Sequence, residues 1–332
     1  MDMGFVLTQA ISQAIGVTAI IYLLATMGLN IQFGYAGLLN FGQIAFVAIG
    51  SYAIGVFIIQ WQGSVFVPNL WVAILYAILL SVLLALILGV PTLRLRADYL
   101  AIVTIAAGEI IRLIFKSTDS LGGAQGINGK MGEEFYAINP FPEQDRFDFG
   151  PLSYTRNDAW VVTVGWIVIA LLLLLTWALM RSPWGRVLKG IREDEDAVRS
   201  LGKSTYFFKM QALILGGIFG TLGGIFWAIA KQSVQPDSFV PAFTFFCYTI
   251  LILGGAARVM GPVIGAIIFW FLLVFVEQFL LLLISNGTIT FLEPTQVGPI
   301  RFILVGLGLM LLIIFRPQGI LGDKKEIALD AK

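Results

Sequence analysis

Few side chains in this 332-residue chain can do chemistry, and most of those few sit together. The segment 181–209 carries seven Lys and Arg side chains (Arg181, Arg186, Lys189, Arg192, Arg199, Lys203 and Lys209) beside four acids from Glu193 to Asp196. Its Gly202-Lys203-Ser204 triplet has the ending of a phosphate-binding loop. That loop needs a glycine five residues earlier, so that successive backbone N–H groups cradle the phosphates. Position 197 is alanine and no apolar strand precedes it, which excludes nucleotide binding by this device. The chain has no histidine, which removes histidine metal sites, catalytic triads and histidine proton relays. Cys247 is the sole cysteine, so no intrachain disulfide is expected, and it reads as a small apolar packing residue. No Ser, Cys or carboxylate dyad stands at catalytic spacing, so neither an enzyme nor a bound metal is expected.

The same charged stretch reads well as a short capped helix. Asp194 is placed to accept from the first free amides, and Glu195 and Asp196 suit the positive end of the helix dipole. Arg199 suits the other end, and Gly202 suits the left-handed position after the last turn. Val187, Ile191, Val198 and Leu201 would share one face of a longer helix, but Asp194 interrupts that stripe. A break near Arg192–Asp194 is therefore expected. The segment is either a solvated loop or a small amphipathic helix docked into a partner.

A second set of polar groups interrupts an apolar run, "NIQFGYAGLLNFGQIAFVAIGSYAIG" at 30–55. Gln32, Tyr35, Asn40, Gln43 and Ser51 are the interruptions, and Gly34, Gly37 and Gly42 can unwind a helix there. Irregular backbone at membrane depth is tolerated only inside protein or around a wet cavity. Tyr35, Asn40, Gln43 and Ser51 thus either bond neighbouring helices or line a polar pathway. Four charges fall within apolar runs: Glu109, Arg112, Glu277 and Arg301. Each is costly unless paired, so ion pairs across helices are expected. Gly216, Gly220 and Gly224, four apart, allow close helix approach, as do Gly261 and Gly265.

The elements that position these groups are membrane helices. Mean hydropathy is +0.90. Charged residues are 12% of the chain, about half the share of a soluble domain. Several apolar runs reach the ~20 residues that cross a bilayer. We expect an all-α, polytopic helical bundle of about nine spans (range 8–10), near 5–28, 33–59, 70–91, 97–115, 159–180, 209–230, 240–256, 262–284 and 299–316. The first run lacks a basic leader and is expected to be a retained span. One transmembrane unit covers 1–322, followed by a tail at 323–332. The connection 116–158 carries four basic residues and seven acids. The positive-inside bias therefore puts 181–209, Arg94, Arg96 and the C-terminal tail with Lys324, Lys325 and Lys332 on the cytoplasmic side. The loop 116–158 and the N-terminus fall outside, with Trp61, Trp71, Trp160 and Trp227 near the outer interface. Net charge is +1, so no nucleic-acid partner is implied.

Three stretches in order resemble a known family: "GYAGLLNFGQIAFVAIGSYAIG" at 34–55, "GVPTLRLRADYLAIVTIAAGEIIRLIF" at 89–115 with "LGGAQGI" at 121–127, and "SPWGRVLKGIREDEDAVRSLGKSTYFFK" at 182–209. Together they look like a permease subunit of the branched-chain amino-acid ABC importers, of the LivM type, over about 30–322. The second stretch is the most specific. The resemblance implies a prokaryotic inner-membrane subunit paired with a homologous second permease. It implies two ATPase subunits holding ATP-Mg, a periplasmic or lipid-anchored binding protein, and a branched-chain or other neutral amino acid as substrate. No cofactor is then expected on this chain. It also implies that Arg192, Glu193, Asp194, Glu195, Asp196, Ala197, Val198, Leu201 and Gly202 form the coupling segment gripped by an ATPase. Relatives of the family include urea and short-amide permeases. An ion-coupled secondary carrier would need internal repeats and coordinating carboxylates, and the sequence offers only a faint repeat.

Overall fold

The computed structural model describes residues 2–60, 69–94, 97–142, 146–149, 152–287, 293–316 and 318–322. Trp61, Arg96 and the tail 323–332 with its three lysines lie outside the described residues. Among the described residues, seven helical stretches are long and apolar enough to cross a membrane. The first runs Met3–Tyr35 and is built from α1 (Met3–Ala14), α2 (Val17–Leu29) and a π-helical turn, Asn30–Tyr35. It exceeds the expected 5–28 at both ends and is broken at Ile15–Gly16. The break's polar groups are taken by neighbours: the Tyr154 hydroxyl donates to the Ser12 carbonyl, and the Trp166 indole donates to that of Ile15, each at 2.9 Å.

The second stretch is shorter than the expected 33–59. It consists of α3 (Gln43–Gly55) and a second π turn, Val56–Gln60; residues 33–35 belong to the first stretch and 36–42 is irregular. Gly37 takes φ +68°, a conformation that a side chain disfavours. After it come α4 (Leu70–Thr92), α5 (Ala97–Ser117), the short α6 (Glu133–Ala137) and α7 (Arg156–Arg181). The charged segment forms α8 (Pro183–Glu193) and α9 (Glu195–Ser200). The chain then makes α10 (Thr205–Lys231), α11 (Ala242–Gly254), α12 (Gly261–Ser285) and α13 (Val297–Phe315). Two of these were not among the seven: α5 has 21 residues and four charges, Asp98, Glu109, Arg112 and Lys116, and α13 has 19 residues. Both match the ~30 Å of a bilayer core. The expected architecture of about nine spans therefore stands.

The expected outer connection carries short strands. Its strand β1 (Ile127–Asn128) pairs antiparallel with β4 (Ser233–Val234) in the α10–α11 connection. Strands β2 (Arg146–Phe149) and β3 (Leu152–Thr155) form a hairpin before α7. Thr155 caps α7 by accepting from the Asp158 amide at 3.2 Å.

α10 is the central post, packed on α2, α3 and α4. Its glycine stripe explains why. A Cβ at Gly216 would meet Gly28 O and the Gln32 side chain, one at Gly220 would meet Gln43, and one at Gly224 would strike Val47 O. The facing glycines are as tight: a Cβ at Gly28 would strike Gly216 O, and one at Gly50 would strike Thr221 O. Backbones thus touch along both crossings, the arrangement small residues permit in a bilayer. Gly261 and Gly265 do the same where α12 meets the end of α11. Outward faces of α4, such as Trp71, Leu75, Leu79 and Ile87, are exposed and apolar. That is the surface acyl chains solvate.

The expected pair Glu277–Arg301 forms, and it joins α12 to α13 across the bundle. We predict that Gly224→Val lowers the thermal stability of detergent-extracted protein by the equivalent of about 1–3 kcal/mol or more. Gly306→Ala, whose Cβ meets open space, leaves it unchanged. Reversing one charge in Glu277→Arg lowers folded yield by the equivalent of up to about 3–5 kcal/mol. Adding Arg301→Glu restores it, as read by fluorescence-detected size exclusion; no rescue would refute the pair.

Candidate functional site

The site begins at the charged α8–α9 hairpin. Pro183 occupies the first helical position of α8, where its missing N–H costs nothing. Gly185, Leu188 and Ile191 are the buried face of this helix. Asp194 then adopts φ −154°, ψ 101°, which ends α8 and starts α9. Its carboxylate accepts from the Ala197 amide at 2.9 Å, the cap that the sequence suggested. Arg199 bridges Asp196 at 2.9 Å and Glu195 at 3.2 Å. Gly202 takes φ +77° and closes the hairpin.

The break expected near Arg192–Asp194 falls at Asp194, and two further details emerge. Leu201 does not join Ile191 and Val198 on one face. Val198 packs on Gly190, whereas Leu201 is 79% exposed at the tip. The break at Asp194 swings it outward. The second is Lys209, at the start of α10, which ion-pairs with Glu195 and pins α9 down. Burial alone would raise the Glu195 carboxyl. The Lys209 bond and charge, with Thr205 and Arg199, outweigh it and hold the group below the usual carboxylate range.

From the hairpin a direct link runs into the bundle. The Arg192 guanidinium donates to the Gly34 carbonyl at 2.7 Å, in the π turn. Its stem lies 3.4 Å from where a Gly37 Cβ would be. Lys189 sits 5.9 Å over the Tyr35 ring. So the charged hairpin grips the irregular segment 30–42.

That segment is the second part of the site. Tyr35, Asn40, Gln43 and Ser51 are all buried. Asn40 donates to the Gln32 side chain at 2.9 Å. Gln43 donates to the carbonyls of Ala25 at 3.2 Å and Gly216 at 2.9 Å. Ser51 donates to Gly224 O at 2.7 Å, and Gln32 to Leu213 O at 3.2 Å. Gln32, Gln43 and Ser51 thus bond the first stretch and α3 to each other and to α10. Asn30 completes the seam: it donates to Arg258 O at 2.8 Å and accepts from the Ala257 amide at 2.9 Å. Threonines close the free end of α3, with Phe41 N donating to Thr104 at 3.0 Å and Ile44 N to Thr244 at 3.1 Å.

The remaining charges form a third group. Glu109 and Arg112 pair at 2.5 Å, but within α5 rather than across helices. The cross-helix partner is Asp237, which the sequence reading had not singled out. It accepts from Arg112 at 2.7 Å and from Lys116 at 2.8 Å. No group of three or more metal-ligating side chains exists among the described residues.

Comparison with known proteins agrees with the resemblance of the three stretches. Residues 12–314 match the family described as branched-chain amino acid transport system / permease component. The high-affinity branched-chain amino acid transport system permease protein LivM of Escherichia coli (strain K12) is 32% identical, over 92% of this chain and 69% of its own length. The probable branched-chain amino acid transport permease protein LivM of Methanocaldococcus jannaschii is 25% identical, over 92% of both. A nucleoside ABC transporter permease protein, NupC of Lactococcus lactis, is 23% identical over 66% of this chain and 67% of its own length. No solved structure matches. With the family spanning nearly all of the bundle, this chain belongs to the permease components of branched-chain amino acid transport systems.

Proposed function

We propose that the chain is the membrane-spanning subunit of an ABC importer for branched-chain or other neutral amino acids. The observation that carries this reading is the α8–α9 hairpin. It is a capped, charged unit outside the bundle, with an exposed leucine at its tip and an arginine bonded to the irregular segment within. A docked ATPase that shifts this hairpin pulls directly on 30–42. ATP-Mg then belongs to the partner, in keeping with Ala197 where a phosphate loop needs glycine. The working complex comprises this chain, a homologous permease, two ATPases and a substrate-binding protein. The α8–α9 hairpin and the C-terminus face the cytoplasm, and the N-terminus and the 118–142 connection face outward.

Affinity capture of the tagged chain from its native membrane tests the assembly. Co-purification of an ATPase and a second permease is expected, and a complex without an ATPase refutes the reading. Uptake is then measured with leucine, urea and a nucleoside, the last because of the Lactococcus relative. Leucine is the expected solute.

Two variants test coupling. Gly202→Val adds no clash, since a Cβ there meets nothing within 4 Å. It still imposes about 1–2 kcal/mol of left-handed backbone strain on the hairpin. We predict ATP hydrolysis without uptake and normal membrane abundance. Lys209→Met releases Glu195, whose pKa then rises. Because the paired carboxyl titrates below its ordinary value, the anchor is complete above that ordinary range and is lost as pH falls through the lowered value. Amide exchange across 195–200 should therefore speed up in Lys209→Met at neutral pH, and in the unaltered protein only in acid.

A further inference from the structure

Ionic side chains within a membrane helix cannot face acyl chains without a large cost. α5 nevertheless carries Glu109, Arg112 and Lys116 along one strip of its surface. Glu109 lies eight residues in from Ser117, about 12 Å along the axis. With Asp237 these charges make a neutral quartet of which the bundle covers only Arg112. Asp237 is 60% exposed, Lys116 38% and Glu109 36% against 15% for Arg112, although every member is already paired. The Glu277–Arg301 pair differs, being one-to-one and about three-quarters covered. The neighbouring helix α4 shows what a lipid face looks like here: Leu70–Thr92 has no charge.

The quartet has spare capacity of both signs. Glu109 and Asp237 keep unused lone pairs, and Arg112 and Lys116 keep unused N–H donors. Such a set matches a ligand with an ammonium and a carboxylate on one carbon. Further in along the same side the lining turns apolar. Ile105 is one turn below Glu109. Phe41, bonded to Thr104 of α5, lies 5.4 Å from the half-exposed ring of Phe245 on α11.

We propose that this α5 face, with Asp237 opposite, lines an aqueous solute path, and that the quartet is a subsite for the charged head of a zwitterionic amino acid. An aliphatic side chain then meets Ile105, Phe41 and Phe245. The path runs over the surface between α5 and α11, not through the sealed Asn40–Gln43 seam. The choice of an amino acid as ligand rests on the proposed function; the aqueous path does not.

The test is thiol accessibility in Cys247→Ser protein within open membrane fragments, where reagent reaches both faces. Ile105→Cys and Glu109→Cys are compared with Leu79→Cys and Ile110→Cys, on outward apolar surface. A membrane-impermeant methanethiosulfonate should modify the first two at least about tenfold faster. Equal rates overturn the path. Ile105→Cys leaves the quartet whole, so the test survives if Glu109→Cys fails to fold. Leucine should slow modification of Ile105→Cys, while isocaproate and isoamylamine, each lacking one charge, should slow it less. Equal effects of all three, or no effect, overturn the subsite. Fast modification with no leucine uptake by the assembled complex refutes the proposed function and leaves the path standing.

Discussion

Backbone polar groups inside a bilayer have no water to fall back on, and the fold is organised around that constraint. Residues 36–42 leave the helical ladder, and the π turn at 30–35 distorts it. Each freed group would cost several kcal/mol if left unmet in hydrocarbon. Side chains answer that demand. Gly42 N donates to the Asn40 side chain at 2.9 Å, Phe41 N to Thr104, and Ile44 N to Thr244. The Asn40 carbonyl accepts from the Tyr248 hydroxyl at 3.1 Å. The donors and acceptors come from α3, α5 and α11, so the break is also the knot that holds these elements in register.

The knot needs close backbones, and α10 provides them. Gln43 reaches carbonyls on α2 and α10 at once only because Gly28, Gly216 and Gly220 leave no side chains between. Small residues and long amides are therefore one device: the glycines set the distance and the amides use it. Arg192 attaches the outside world to this device through the Gly34 carbonyl. A displacement of α8 thus arrives at the least regular backbone in the bundle, where hydrogen bonds can exchange partners without unwinding a full helix.

Local chemistry made some of this legible in sequence. Asp194 and Gly202 act within three or four residues of where they stand, so cap and terminator were readable. The four-residue glycine spacing was equally local. What failed depended on rotation or on distance along the chain. Asn40 lies in the irregular 36–42 stretch and Gln43 at the start of α3, and their spacing does not announce the bonds that Gln43 makes to α2 and α10. The break near Arg192–Asp194 was itself readable, but not how far it turns Leu201 out from Ile191 and Val198. Asp237 sits in a connection 125 residues from Arg112, and nothing in either local sequence announces the pairing. The break at Ile15–Gly16 was hidden because its bonding partners, Tyr154 on β3 and Trp166 on α7, lie far along the chain.

The seam also has an order in time. Asn30 bonds the Arg258 carbonyl across 228 residues, Ile44 meets Thr244 across 200, and Ser51 meets Gly224 across 173. At ribosomal speeds of about 5–20 residues per second, Asn30 waits on the order of 10–50 s for its partner to be made. During that interval Asn30 and the Gln32 amide in the first span lack the partners, Arg258 and Leu213, that they meet in the folded chain. They must spend it beside water or an insertion machine rather than in lipid. Assembly of this protein is thus a matter of sheltering its beginning until its end is translated.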